Sequence, residues 1–390
     1  MQEDFHYYAT YCAALLAGWS REDSAQISYS AQLVDWCSRT FLKRLKGPSS
    51  AATTQLQLEL MDARTDPIGL QDITRIWASF HFLPYDLHAT VRHAGRRYRE
   101  KYRLLCRPNG SLLVSTVELA KNHGNQAVGI AMHVLADTWA HAYFAGTPSL
   151  VINNTDYYFY EILHDGEEET ERPVRFRHSP GAPDDLEQGV YSNSLYQWDE
   201  SSIMNLGHGR AGHLPDYSFI RYRYLPAWAG YEEVIKNNPE EYYIAFCQMV
   251  RALRYLHGEI PSFNIGEYDT ELVRPWEEEI RSILVKRQPD GCADWRKLGE
   301  KLAGTEPELF DLEKYQNEYL SAAEEERDRT FLGAFFLAAM AHKSMVTNRI
   351  YRSGNRLAGF SVDYNGKRLR GIRDFRSLLG RQKKQDGPEE

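Results

Sequence analysis

The stretch GIAMHVLADTWAHAYFAG, residues 129–146, constrains this chain more than any other. It has the composition of a buried helix, yet it carries His133, Asp137 and His141 at four-residue steps. Four residues advance an α-helix by about 400°, so each of these side chains drifts only about 40° from the last, and all three share one face. The neighbouring positions Ile130, Met132, Val134, Leu135, Trp139 and Ala140 are apolar or small, so burial nearly all round is expected. Two imidazoles and a carboxylate stacked in an apolar setting are costly unless something pairs with them. A divalent metal pair is the most economical partner, because neutral imidazole suits zinc and one carboxylate can bridge two ions. The alternative is a core helix whose histidines bond to carbonyls and whose Asp caps a neighbouring helix.

Other sequence features bound what such a helix can serve. A chain of 390 residues with 43% hydrophobic and 13% aromatic content can bury a large core, as one big domain or one domain with an appendage. A net charge of −8 argues against an extended nucleic-acid surface, which needs positive charge to displace counterions. The five cysteines are scattered, odd in number and without a CxxC pair, which suits free thiols in a reducing compartment. The opening MQEDFHYYATY has neither a basic nor an apolar leader region, and residues 331–340 are too short to span a bilayer. A cytoplasmic protein without a transmembrane segment is the expectation.

Along the chain, residues 4–18 read as a helix closed by Gly18, with His6 in the first turn beside Asp4. Ser20 reads as the N-cap of a helix over 21–45, in which Asp35 lies between Val34 and Trp36, as a surface residue or a ligand. LQLELM, residues 56–61, alternates like a short strand, and a helix over 69–82 ends near His81 and Pro84. Residues 92–107 are the most basic stretch, read as a solvated face or a phosphate contact. A helix over 112–122 leads into the central one. Residues 147–200 read as an irregular excursion, in which the dipeptide His164-Asp165 lies in a loop. NLGHGRAGHLPDYS, residues 205–218, is dense in glycine, and its His208, His213 and Asp216 are spaced so that they could converge on one ion. Helices over 240–257 and 331–346 and charged helices between them follow, with His257 and His342 read as structural, and the polar tail 381–390 reads as frayed.

The segments DFHYYATYCAA, HVLADTWAH and GHGRAGHLPDYS together resemble a bacterial domain-of-unknown-function family that opens with DFHYY and carries the ADTWAH helix. That family in turn resembles the zinc-dependent phospholipase C and single-strand nuclease superfamily, on ligand order alone. The resemblance, close through about residue 260, implies an all-α, multi-helix bundle with a metal-binding core over 1–262 and an irregular, loop-rich insertion at 147–200, and the helical patterns beyond it read as a C-terminal extension over 263–380 packed on the core. It implies His6 as the early His, Asp35 as the isolated Asp, His81 as the isolated His, and His133 with a bridging Asp137 as the HxxxD pair. His141 matches the next His, and His208, His213 and Asp216 stand in for the closing HxxxE. Three departures stand out. His141 follows the Asp by four residues rather than six, no HxxxE closes the set, and Asp4 stands as a substitute for the processed N-terminal amine of the secreted enzymes.

The expected function is that of a metal-dependent phosphoric-ester hydrolase holding two or three zinc ions, with Mn²⁺, Fe²⁺ or Ni²⁺ as alternatives. Asp137 bridges the ions and Asp35 orients the nucleophile or acts as base. The expected substrate is a small phosphoester or a phospholipid head group. The alternatives are an HD-type phosphohydrolase, which needs its His-Asp dipeptide on a helix, and a non-catalytic metal-binding helical protein.

Overall fold

The computed structural model describes residues 1–63, 67–90, 96–155, 158–165, 168–177, 183–193, 206–229 and 232–359. Residues 92–95 of the basic stretch and the tail from Arg381 lie outside them. A π-helical turn, Asp4–Ala9, runs into α1, Thr10–Leu16. There follow α2, Arg21–Trp36; α3, Arg39–Leu45; α4, Gln57–Ala63; α5, Pro67–Phe80; α6, Arg96–Tyr102; α7, Ser111–Ala120; and α8, Gly124–Ala140. The helix α8 is buried from Gln126 to Ala140 and packs against α2, α10 (Asn238–His257), α15 (Phe331–Arg352) and α7. Its closest approach is to α2. A Cβ added at Gly129 would lie 2.3 Å from the carbonyl oxygen of Ile27 and 2.5 Å from Cβ of Ser30, so only glycine lets the two helices meet this closely. Between α10 and α15 the chain runs through α11, Thr270–Val273; α12, Glu277–Val285; α13, Cys292–Ala303; and α14, Leu312–Ser321.

The chain is mixed α and β, which corrects the all-α expectation and the reading of 147–200 as irregular. After the short α9, Leu150–Asn153, come β1, Phe159–Asp165; β2, Glu168–Pro173; β3, Arg175–Arg177; and β4, Val190–Ser192. With β5, Arg221–Tyr224, and β6, Val234–Asn237, they form an antiparallel sheet of order β2-β1-β5-β6 and a parallel β3-β4 pair. The cause is a period of two that the helical reading passed over. In β5 Tyr222 and Tyr224 face inward, while Arg221 and Arg223 face outward and reach Glu169 and Glu171 of β2. The inward rings join Phe159, Phe144, Phe82 and Leu214 in a second core beside the end of α8. His164-Asp165 ends β1, where His164 pairs with Glu169 at 3.2 Å on the surface.

Three local readings also change. LQLELM opens α4 rather than a strand, because Glu59 takes the amides of Leu56 and Thr40 and so caps the helix start. The helix over 21–45 breaks at Ser38, whose hydroxyl accepts from the amide of Phe41 and starts α3. The central helix begins at Gly124 and ends at Ala140, with His141 as its C-cap. Beyond it Tyr143 takes a φ of +78°, and the Tyr143 amide and the Phe144 carbonyl bond to Cys106 at 2.8 and 2.7 Å. Among the described residues no helix is long and apolar enough to cross a membrane.

Candidate metal centre

Five separate stretches of chain bring His and Asp side chains to one place. His6 comes from the π-helical turn, Asp35 from the last turn of α2, and His81 from just past α5. His133 and Asp137 come from α8, His141 from its cap, and His208 and Asp216 from the glycine-rich turns at 206–216. Three groups among them could hold a metal ion: His6, His133 and Asp137; Asp35, His81 and His133; and His141, His208 and Asp216.

The backbone fixes which ring nitrogens face inward. His133 Nδ1 lies 2.9 Å from the carbonyl oxygen of Ala31, and His81 Nε2 lies 3.1 Å from that of Thr53. His141 Nδ1 lies 2.7 Å from the carbonyl oxygen of His81, and His208 Nδ1 lies 2.9 Å from that of Gly212. A carbonyl only accepts, so each of these nitrogens carries the proton and the other nitrogen of a neutral ring is bare. The bare atoms converge. His133 Nε2 and His81 Nδ1 lie 3.3 Å apart, and they lie 3.1 and 3.2 Å from Oδ2 of Asp137. Oδ1 of Asp35 lies 3.9 Å from both nitrogens.

Three acceptors facing one another repel unless a positive charge sits among them. Ligands about 2.0 Å from a tetrahedral zinc ion are separated by about 3.3 Å, so the spacing of His81, His133 and Asp137 matches a first coordination shell. His6 adds to the same argument. It is fully buried, neither ring nitrogen has a hydrogen-bond partner among the described residues, and Nε2 lies 3.2 Å from Oδ1 of Asp137.

The other side of Asp137 faces a second group. Its Oδ1 lies 2.9 Å from the backbone nitrogen of Met1, which is also 3.2 Å from Oδ1 of Asp216 and 3.3 Å from Nε2 of His141. His141 Nε2 lies 3.1 Å from Asp216 Oδ1, and His208 Nε2 lies 3.7 Å from Asp216 Oδ2. Oδ2 of Asp137 therefore faces His81 and His133, while Oδ1 faces His6 and the Met1 nitrogen, and that nitrogen links it to Asp216 and His141.

The electrostatics follow from burial and charge. Burial would raise the carboxyl of Asp137, but His141, the Met1 amine, His133 and His6 outweigh it and hold Asp137 well below the usual carboxylate range. Asp216 is held low in the same way by His208, the Met1 amine and His141. Burial, then His133 and the amine, lower His6 to about 4. Burial, with His141 and the amine against Asp216, lowers His208 to about 4. Burial alone would lower the Met1 amine, yet Asp137, Asp216 and Asp35 raise it to about 11.

Two expected members stand elsewhere. His213 turns its Nδ1 to Asp184, 2.8 Å away, and its side chain is 47% exposed. Asp4 accepts from the amide of Gly291 at 2.8 Å and is absent from the three groups, while the Met1 nitrogen occupies the place considered for it. Sequence reading missed the carbonyl anchors of Ala31, Thr53, His81 and Gly212, which no side-chain pattern reveals. It also missed Asp184, whose partner lies 29 residues away.

The chain belongs to a family of unknown function, DUF6765, which it matches over residues 1–350. That match agrees with the close resemblance and does not extend to the phospholipase C superfamily. No curated protein and no solved structure matches the chain.

Proposed function

We propose that this member of the family is a metal-dependent phosphoric-ester hydrolase, with zinc as its most fitting metal. The observation that carries the reading is the convergence of two carbonyl-fixed bare imidazole nitrogens, His81 Nδ1 and His133 Nε2, on Oδ2 of Asp137, with His6 Nε2 at Oδ1. His81, His133, Asp137 and Asp35 would hold one ion; His141, His208 and Asp216 would hold another with Asp137 shared, and His6 joins at its Oδ1. A pair of divalent ions bound there supplies an activated water near neutral pH and charge to balance a phosphoryl group. Asp35, whose side chain is 31% exposed, is the most solvent-open member and, where it does not itself ligate the ion, would orient the attacking water or take its proton. Asp137, at 1% exposure, holds its position and charge throughout.

One observation favours a second reading. The Met1 nitrogen, as an ammonium, itself neutralises Asp137 and Asp216 at 2.9 and 3.2 Å, which would suit a non-catalytic polar core. The HD-type alternative gains nothing, since His164-Asp165 ends a strand rather than lying on a helix, and His164 is exposed. Elemental analysis of the purified chain, followed by a phosphodiester assay, separates the two. About two transition-metal ions per chain and turnover support the hydrolase. A metal-free, fully folded chain without turnover overturns it.

A further inference from the structure

We propose that Asp184 and His213 form an acid–base dyad at the rim of this centre, in which His213 gives a proton to the departing oxygen of the phosphoester. The inference rests on the hydrolase reading and deepens it. Sequence spacing groups His213 with His208 and Asp216, but its ring takes a different partner. His213 Nδ1 lies 2.8 Å from Oδ2 of Asp184, and the hydroxyl of Tyr217 donates to the same oxygen at 2.8 Å. Oδ1 of Asp184 accepts from the amide of Ser192 at 2.6 Å. All three partners favour the ionised carboxylate and outweigh the burial that would raise it. An ionised carboxylate only accepts, so it keeps the proton on Nδ1 and orients the ring. The Asp184 side chain is 3% exposed and that of His213 is 47% exposed, so the anchor is inside and the ring is presented to solvent.

The dyad is tied to the cluster by the backbone. The amide of Asp216 bonds to the carbonyl of His213 at 2.9 Å, which makes the two the ends of one turn, with Cα atoms within about 7 Å. Gly212 holds the other side. It has a φ of +56°, and a Cβ there would lie 2.1 Å from the carbonyl oxygen of Ser192. Only glycine lets this turn press against β4, whose Ser192 amide holds Asp184. The sheet region thus delivers a carboxylate to a histidine three residues from a candidate ligand.

The step balances with water as the only co-reactant. The water oxygen bonds to phosphorus. The bond from phosphorus to the alcohol oxygen breaks, and its electron pair stays on that oxygen. His213 Nε2 transfers a proton to it, giving the alcohol and a phosphomonoester, and the proton lost by the water restores the imidazolium.

The test uses His213→Gln and Asp184→Asn in the full chain with two substrates. Bis(4-nitrophenyl) phosphate releases a phenolate that needs no proton, whereas glycerophosphocholine must release an alkoxide. The dyad predicts that His213→Gln lowers kcat on glycerophosphocholine about a hundredfold or more while staying within about threefold on the nitrophenyl ester, with Asp184→Asn in between. Metal content should match the native chain in both variants. A second measurement needs no turnover: the nitrogen NMR signals of His213 should report a protonated Nδ1 and bare Nε2 in the neutral ring, with that preference lost in Asp184→Asn. Equal losses on both substrates, no loss on either, or lost metal in His213→Gln would each overturn the proposal. A native chain that hydrolyses neither substrate removes the hydrolase reading itself, and the proton-donor role with it. The NMR comparison still shows whether the pair exists.

Discussion

The ring of His141 gives its Nδ1 to the backbone carbonyl of His81, 2.7 Å away, so one candidate ligand holds the main chain of another. His81 in turn faces Oδ2 of Asp137 through the nitrogen that its own bond to Thr53 leaves bare. Each ring is thus oriented by a peptide group on a neighbouring element, and the cluster is a property of how α2, α5 and α8 are stacked.

Asp137→Asn should remove this arrangement's common anion. The expected result is loss of bound metal and of phosphodiester turnover, with the helical circular-dichroism signal kept. In the native chain, metal at about a thousand times its Kd should stabilise the fold by about 4 kcal/mol, and a chelator should reverse the gain. Denaturation curves with and without zinc check both.

Gly129→Ala tests the stacking itself. The added Cβ would meet the backbone of Ile27 and Ala31 and Cβ of Ser30, and Ala31 is the residue whose carbonyl orients His133. A loss of about 1–3 kcal/mol is expected from overpacking. Metal affinity should fall alongside it, because α2 cannot move without releasing the ring. Urea midpoints and a metal titration measure the two effects in one preparation.

His342 makes a prediction about pH. It is buried, its Nε2 donates to the carbonyl of Ser79 at 2.8 Å, and burial lowers its pKa to about 4. A folded-state value below the ordinary 6.5 means that the unfolded chain binds the proton more readily between those values. The stability it contributes is therefore complete above about pH 6.5 and is lost as pH falls towards 4, by at most about 3 kcal/mol. His342→Gln should flatten this part of the stability profile, seen as a smaller difference between urea midpoints at pH 7 and pH 5.

Glu161 anchors the sheet region. Its side chain is 1% exposed and pairs with Arg172 at 2.8 Å and Arg287 at 2.7 Å. Glu161→Ala leaves two guanidinium groups without their buried anion, so a loss of about 3–5 kcal/mol is expected. Proteolysis should then cut within the sheet region before the helices. A variant as resistant as the native chain would contradict this.

How much of this was legible in the sequence depends on the range over which each signal acts. The face shared by His133, Asp137 and His141 follows from helical periodicity alone, and the burial of α8 follows from its apolar neighbours. Strands β3 to β6 escape a sequence reading because they span three to four residues each, too few for alternation to stand out beside aromatic and acidic clusters. Proximity in sequence groups His213 with His208 and Asp216, while its real partner is fixed by the packing of β4 on the turn at Gly212. Asp4 stands beside His6 in sequence, yet it serves the amide of Gly291, a contact across 287 residues. Local patterns reveal one helix face, whereas tertiary contacts decide which distant groups meet it.

The carbonyl anchors have a kinetic corollary. Imidazoles that cannot swivel leave an emptied centre with its lone pairs still opposed, so the chain has no relaxed state close at hand to fall into. An ion bound there would exchange only as the α2–α8 pair breathes. The lifetime of the bound ion and the hydrogen-exchange protection of amides such as that of His133 would share a single gate.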